Sequence, residues 1–392
     1  MSTPHTAGIA ATFDWDLAER YGEILAFGAR ERGEDAVSVP GRLSENPFLT
    51  GVMAKHITMG IQKTGVDGQA VLAPASAGER ALREHDLIPF EMSIKDGNLA
   101  RVQVGVSEGA AGAERVLRDE WGFSGFVSED APAEVAAGYE DELAAITDRT
   151  VVLLDNAAGL LPLDPASASS VVIVGASDLA EHLRAALAEL GADADVRAAG
   201  ADSDVDAAGA VVVVDCADSS ELRRLGGALA VVGCFGASAS NAPAVVRALT
   251  GATNPSAKLP LALPGYPFGA GGSYTTFELG RPEVAREVRR GDDMFVVRVD
   301  VTNTGDRAGA EVVQIYVDIP GQPERRLVGF RSVEVAAGAS ETVEIEMGID
   351  WPDHPFSVWD EDAREWVTPR GTHVLHVGTS SVDTPHALEV EL

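Results

Sequence analysis

The feature that most limits the fold is a change of hydrophobic period near Gly291. Before it, short continuous apolar runs alternate with longer stretches whose apolar residues recur at helical spacing; after it, apolar and polar residues alternate one by one. The C-terminal pattern passes through Phe295, Val297, Val299 and Val301, turns at Asn303-Thr304-Gly305 and returns over residues 312–317, with further runs at 331–335, 341–347 and 373–377. Roughly seven strands in about 100 residues is the size of an immunoglobulin-like sandwich with one buried face per strand. On such a strand His373 and His376 point to opposite faces, so no metal is expected there.

The first 290 residues follow another logic. Asp14 is placed to cap a helix in which Leu17, Tyr21, Ile24 and Leu25 repeat at helical spacing up to Gly33. A strand over 36–39 stops at Pro40-Gly41, a helix over 47–62 follows, then a strand over 70–73, a helix over 79–94, a strand over 102–106 and a helix over 110–121. That helix leads into VLRDEWGFSGFVSED, in which Phe126 and Val127 supply strand character. Glu129 and Asp130 then fall where a βα-barrel strand ends and presents side chains to a pocket. From Thr150, VVLLDNAAGLLPL reads as an extended apolar connector. Strands over 171–174, 211–214 and 230–233 with a helix over 179–190 read as a parallel sheet covered on both faces. Gly175 alone after a strand lacks the further glycines of a dinucleotide fingerprint, so no nucleotide cofactor is expected.

Composition narrows the partners. With 61 acidic and 30 basic residues the chain carries a formal charge of −31, which disfavours nucleic acid and anionic membrane surfaces. Arg289-Arg290 and Arg325-Arg326 read as solvated loop charges. Cys216 and Cys234 sit beside apolar strands and read as buried thiols of a reducing compartment. The first residues, MSTPHTAGIAATFDWD, lack a basic region followed by an apolar core, and no run approaches the roughly 18 apolar residues of a membrane span. A cytoplasmic location is expected. The eight histidines are scattered, and no metal site is expected.

VLRDEWGFSGFVSED resembles the segment of glycoside hydrolase family 3 that carries the catalytic aspartate. The resemblance recurs in AATFDWDLAERYGEILAFGARERG, SENPFLTGVMAKHITMGIQKTGV, ERALREHDLIPFEMSIKDG, TVVLLDNAAGLLPL, NPSAKLPLALPGYPFGAGGSYTTF and VVRVDVTNTGDRAGAEVVQIYVD. It implies an α/β plus β fold: a truncated βα-barrel-like domain (1–147), an α/β sandwich domain with an exit linker (148–283) and a fibronectin-type-III-like β-sandwich (284–392). Against the family pattern only about half a barrel is present. An open half barrel would expose strand edges and an apolar inner face, so a homodimer built through residues 1–147 is expected.

The family's sugar-binding set is thinned as well. The strand that should carry a Lys-His pair reads GQAVLAPASAGE, with no ionisable group before Glu79, which stands with Arg42 as a candidate ligand-binding residue; Lys55-His56 lies in the preceding helix and reads as an exposed helical pair. Arg42, in VSVPGRLSENPF, stands as a remnant of the Arg-containing sugar contacts. A retaining glycosidase needs a nucleophilic carboxylate and a protonated one about 5–5.5 Å apart. Aligned without a gap, Asp130 takes the nucleophile position; with one valine deleted, Glu129 does. Both read equally as plain loop acids at a strand end, and neighbours on a strand face opposite ways. DCADSSELRRLGG offers Asp215, Asp218 and Glu221 for the acid, Glu221 reading mainly as a residue favoured at a helix start. Three functions follow. The favoured one is a remodelled protein that binds or acts on a small metabolite, glycosylated or apolar. The others are a retaining β-glycosidase using Asp130, and a non-catalytic scaffold for a protein partner.

Overall fold

Asp14 does cap a helix: its carboxylate accepts from the Leu17 amide at 3.1 Å and separates α1 (Thr6–Ala11) from α2 (Trp15–Arg32), which ends at Gly33 with φ 75°. The structure is a computed structural model. It describes residues 4–40, 43–72, 76, 78–104, 113, 115–125, 138–164, 169–174, 177–190, 194–199, 209–217, 228–236 and 238–392. β1 (Ala36–Val39), α3 (Pro47–Lys63), β2 (Asp67–Leu72), α4 (Glu79–Ala81), a π-helical stretch (Leu82–Leu87), α5 (Ile88–Lys95) and β3 (Arg101–Val104) follow in order. The wide π turn has a local cause. Pro89 has no amide to donate to the His85 carbonyl and its ring would strike it, and the extra residue in the turn relieves both.

β1, β2 and β3 pair in parallel in that order. Val37, Val39, Ala70, Leu72 and Val102 lie on one face and are buried in a core shared with α2, α3 and α5. The opposite face is mostly polar, carrying Ser38, Asp67, Gln69, Arg101 and Gln103 beside Ala36 and Val71, with Arg101 bonded to Asp35 and Asp67. A continuous apolar inner face of the kind expected of a half barrel is therefore not formed among the described residues. The other motive for a dimer through this unit, unpaired strand edges, remains at β1 and β3 among the described residues.

α6 (Glu140–Asp148) leads into a five-stranded sheet of order β4-β8-β7-β5-β6, formed by β4 (Val152–Asp155), β5 (Ser169–Val174), β6 (Ala194–Ala199), β7 (Val211–Asp215) and β8 (Ala230–Cys234). All neighbours are parallel except β4, which runs antiparallel to β8, so the expected connector is in part an edge strand. One face packs on α7 (Ser177–Glu189) and α8 (Ala242–Leu249). The other receives Ala11 of α1 together with Leu259 and Leu263. Both faces are thus covered, as continuous valine runs require. Cys216 and Cys234 are buried and free, and burial pushes both thiols up.

The C-terminal sandwich comprises β9 (Phe277–Leu279), β10 (Glu283–Arg289), β11 (Asp292–Asn303), β12 (Gly309–Asp318), β13 (Arg326–Val335), β14 (Ser340–Gly348), the hairpin β15 (Val358–Asp360) and β16 (Glu365–Val367), β17 (Thr372–Gly378) and β18 (His386–Glu391). One sheet has β10-β11-β14 with β9 on β11, the other β13-β12-β17-β18. Val313, Ile315 and Val317 point into the sandwich, while Val312, Tyr316, Leu327 and Phe330 join the first unit's core. Phe330 meets Phe13 with ring centroids 5.1 Å apart and Phe48 at 6.1 Å. His373 is buried edge-on to Phe356 and His376 reaches Asp318 at 2.7 Å, on opposite faces as the alternation requires. Among the described residues no helix is long and apolar enough to cross a membrane, and no three His, Cys, Asp or Glu cluster as metal ligands.

Candidate active site

Parallel βα units present their chemistry at the carboxyl ends of the strands, because the following loops converge there. At the end of β2 a cleft of about 390 Å³ opens between Val71 and Leu72, the segment before α3, and the π turn. Ser44, Glu45, Thr50, His85 and Asp86 supply its polar lining, and Pro47, Pro89 and Phe90 its apolar part. Half polar and half apolar suits a ring with hydroxyls on its edge and hydrocarbon on its faces.

The polar wall is fixed locally. Asn46 caps α3 by accepting from Leu49 at 3.0 Å, with Pro47 in its first turn. Ser44 and Thr50 are cross-bonded through Ser44 N to Thr50 Oγ1 at 3.1 Å and Thr50 Oγ1 to Ser44 O at 3.2 Å. Glu45 accepts from the Ala262 amide at 2.8 Å, and its own amide donates to Pro260 O at 3.2 Å, so the segment after the α/β unit holds this wall. On the far side Asp86 accepts from Ser76 N at 2.8 Å.

A second, larger cleft of about 910 Å³ adjoins the first, sharing Glu45, Pro47 and His85, and is closed by the C-terminal sandwich through Tyr316, residues 322–328 and residues 353–355. Glu84 is built into its base: it accepts from Arg80 Nε at 3.0 Å, Trp359 N at 2.8 Å and Arg326 Nη2 at 2.7 Å. Arg326 is therefore no solvated loop charge. It is half buried against Glu84 and the Ser357 carbonyl, and burial lowers its pKa. Asp353, also on the lining, is 8% exposed, and burial pushes its carboxyl up to about 7, with Asp96 and Glu91 adding to the rise and Lys55 opposing it. Its neighbour His354 stacks on Trp366 at 3.9 Å and reaches Glu91 at 3.3 Å. Burial raises the Glu91 pKa, but His354 and Lys95 outweigh it and hold this carboxylate below its usual range.

Of the residues singled out from the sequence, Arg42, Glu129, Asp130 and Glu221 lie outside the described residues, as does Asp218. The chain leading to Glu129 is described to Gly125. A π-helical stretch (Val116–Glu120) is followed by a turn in which Phe123 N donates to Leu117 O at 2.8 Å and Arg118 holds the Phe123 and Gly125 carbonyls. Glu79 lines neither cleft. It bonds Arg83 at 3.1 Å, which also grips Glu120 bidentately at 2.6 and 2.8 Å and lies 4.1 Å above Trp359. Asp215 ends β7 and accepts from the Ala217 and Gly236 amides. Lys55 and His56 lie on α3 as expected but are half buried, not exposed: Lys55 stands 3.5 Å from Asp96 and His56 stacks on Trp15. Burial, Lys55 and Arg331 pull the imidazole down to about 4, so it is neutral near pH 7. The Asp353–His354 wall was not singled out from the sequence, because nothing local marks a residue that meets α5 from more than 250 positions away.

Comparison with known proteins bears on the fold. A fibronectin type III-like domain matches residues 311–381. The probable β-glucosidase M of Neosartorya fischeri is 37% identical over 139 residues, which is 31% of this chain and 18% of that protein. The matched stretch is thus under a fifth of the length of this curated relative. Among solved structures, the GH3 β-glucosidase of Bifidobacterium adolescentis superposes with TM-score 0.81 and 20% identity, covering 100% of this chain and 88% of that one. The β-glucosidase DesR of Streptomyces venezuelae, solved in complex with D-glucose, superposes with TM-score 0.78 and 17% identity over 100% of this chain and 92% of that one.

Proposed function

We propose that this chain, a β-glucosidase-like relative within glycoside hydrolase family 3, binds a β-linked glycoside in the cleft at the end of β2 and cleaves it. The observation that carries this reading is the cleft's mixed lining of Ser44, Glu45, Thr50, His85 and Asp86 against Pro47, Pro89 and Phe90. An apolar metabolite would desolvate those polar groups with no new hydrogen bond in return, whereas a sugar's hydroxyls can bond to them, so the lining favours a glycoside over the apolar alternative raised from the sequence. A monosaccharide bound in a related fold, as in the DesR complex with D-glucose, supports the same class of ligand.

In this reading the nucleophile is Asp130 or Glu129, five and four residues beyond the anchored turn that ends at Gly125. The carboxylate attacks the anomeric carbon, a second acid protonates the departing oxygen, and water then releases the sugar. The test is hydrolysis of nitrophenyl β-glycosides by wild type, Asp130→Asn and Glu129→Gln. Turnover by wild type with a loss of about 10³-fold or more in one variant is expected, in line with removing a charge-bearing catalytic group. Absence of turnover in wild type on every β-glycoside overturns the reading.

A further inference from the structure

Residues 349–357 join β14 to β15 as a strap of turns, and the strap meets α5 through His354, which reaches Glu91 at 3.3 Å and stacks on Trp366 at 3.9 Å. Both of its ends are tied to the sandwich. Ile349 N donates to Asp293 O at 2.9 Å, and Phe356 is fully buried in the sandwich core. The middle is strained, since His354 takes φ 47°, in the left-handed region that a bulky side chain rarely adopts. Contacts with α5 therefore hold the strap in a conformation that its own backbone disfavours.

The charges around Asp353 pair off without it. α3 brings Lys55, which stands 3.5 Å from Asp96 just past the end of α5. α5 itself brings Glu91 and Lys95, 2.5 Å apart, and Glu91 also takes His354. The π-helical arm adds His85 to the same cleft wall. Each lysine thus has its own acid, and an ionised Asp353, 8% exposed, is a further negative charge beside Glu91 and Asp96. Burial holds its carboxyl up at about 7, its own amide and Lys55 pulling it down while Asp96 and Glu91 push it up.

We propose that the strap is a latch operated by pH: it closes on α3 and α5 while Asp353 carries its proton, and swings away from them when the proton is lost. Asp353, His354 and Pro355 wall the larger cleft, so the latch sets how wide that cleft stands. The proposal does not depend on what the clefts bind. Its sign follows from linkage. Released to solvent, Asp353 ionises near 3.8, so the closed strap is fully favoured below pH 4 and loses that advantage as pH rises to about 7.

Hydrogen exchange of the full chain, read by NMR and divided by the intrinsic rates, measures the opening directly. The His354 amide bonds Trp351 O and the Ser357 amide bonds His354 O, both within the strap. In wild type the opening constant at these two amides is expected to rise about 50-fold from pH 5 to pH 7 and to level off by pH 8. Amides paired between β11 and β14 should exchange far more slowly throughout. Asp353→Asn, an isostere of the protonated acid whose fold those sandwich amides report, is expected to stay closed with a flat profile. A flat profile in wild type, the same rise in Asp353→Asn, or strap amides that exchange no faster than the sandwich amides each overturn the latch.

Discussion

At the scale of single residues, the chain separates groups that hold the fold from groups free to do chemistry. Glu79 belongs to the first kind: it is committed to Arg83 within a cluster that includes Glu120 and Trp359. Glu79→Gln is expected to leave KM for nitrophenyl β-glycosides unchanged and to cost under about 1 kcal/mol in denaturant unfolding, because the pair is partly exposed. A large rise in KM would return Glu79 to the binding site. Asp353 is the opposite case, a buried acid raised to about 7 from 3.8. Between pH 4 and 7 the unfolded chain ionises this group while the folded chain retains its proton. Stability is therefore full below pH 4, falls as pH rises to 7, and is level above. Asp353→Asn should abolish that slope and raise stability at pH 8 by up to about 4 kcal/mol, the linkage value of a three-unit shift. An unchanged pH profile of melting would show that the carboxyl is ionised when folded.

Among elements, the π-helical arm between α4 and α5 matters most, because one side lines both clefts and the other meets the hairpin β15–β16. Its cause, Pro89 four residues after His85, is local and readable. The crossing of α2 and α3 is equally specific: a Cβ on Gly60 would collide with the Glu19 carbonyl oxygen, and one on Gly22 with the Ile57 carbonyl oxygen. The two helices approach at glycine contacts with no room for a side chain. Gly60→Ala is expected to lower stability by about 1–3 kcal/mol despite alanine's better helix propensity, since the helices must part. A stabilised variant in a urea titration would mean that the crossing is looser than drawn.

For the whole molecule, the sandwich and the βα unit share one core through Phe13, Phe48, Tyr316 and Phe330, and one buried ion pair ties the segment between units to both. Lys258 Nζ lies 2.6 Å from Glu311, while its amide donates to Ala11 O. Removing one partner strands the other, so Lys258→Met is expected to cost about 3–5 kcal/mol, and Lys258→Met with Glu311→Leu to recover most of it. Equal losses in the single and double variants would show that the pair is not the source.

The sequence by itself determined the elements, because each rests on short-range physics. Period-two alternation gave the sandwich strands, Asp14 and Gly33 bounded α2, continuous valine runs marked a doubly covered sheet, and flanking motifs carried the family resemblance. It also placed Lys55-His56 on a helix while missing their burial, since burial depends on what packs above. Only the tertiary structure decided that the half barrel turns a polar face away from its helices, that α1 lies on the α/β sheet, and that the larger cleft is walled by residues 316–328 and 353–355. Such contacts join residues hundreds of positions apart, and no local period or motif encodes which outer face of a sandwich will meet which helix.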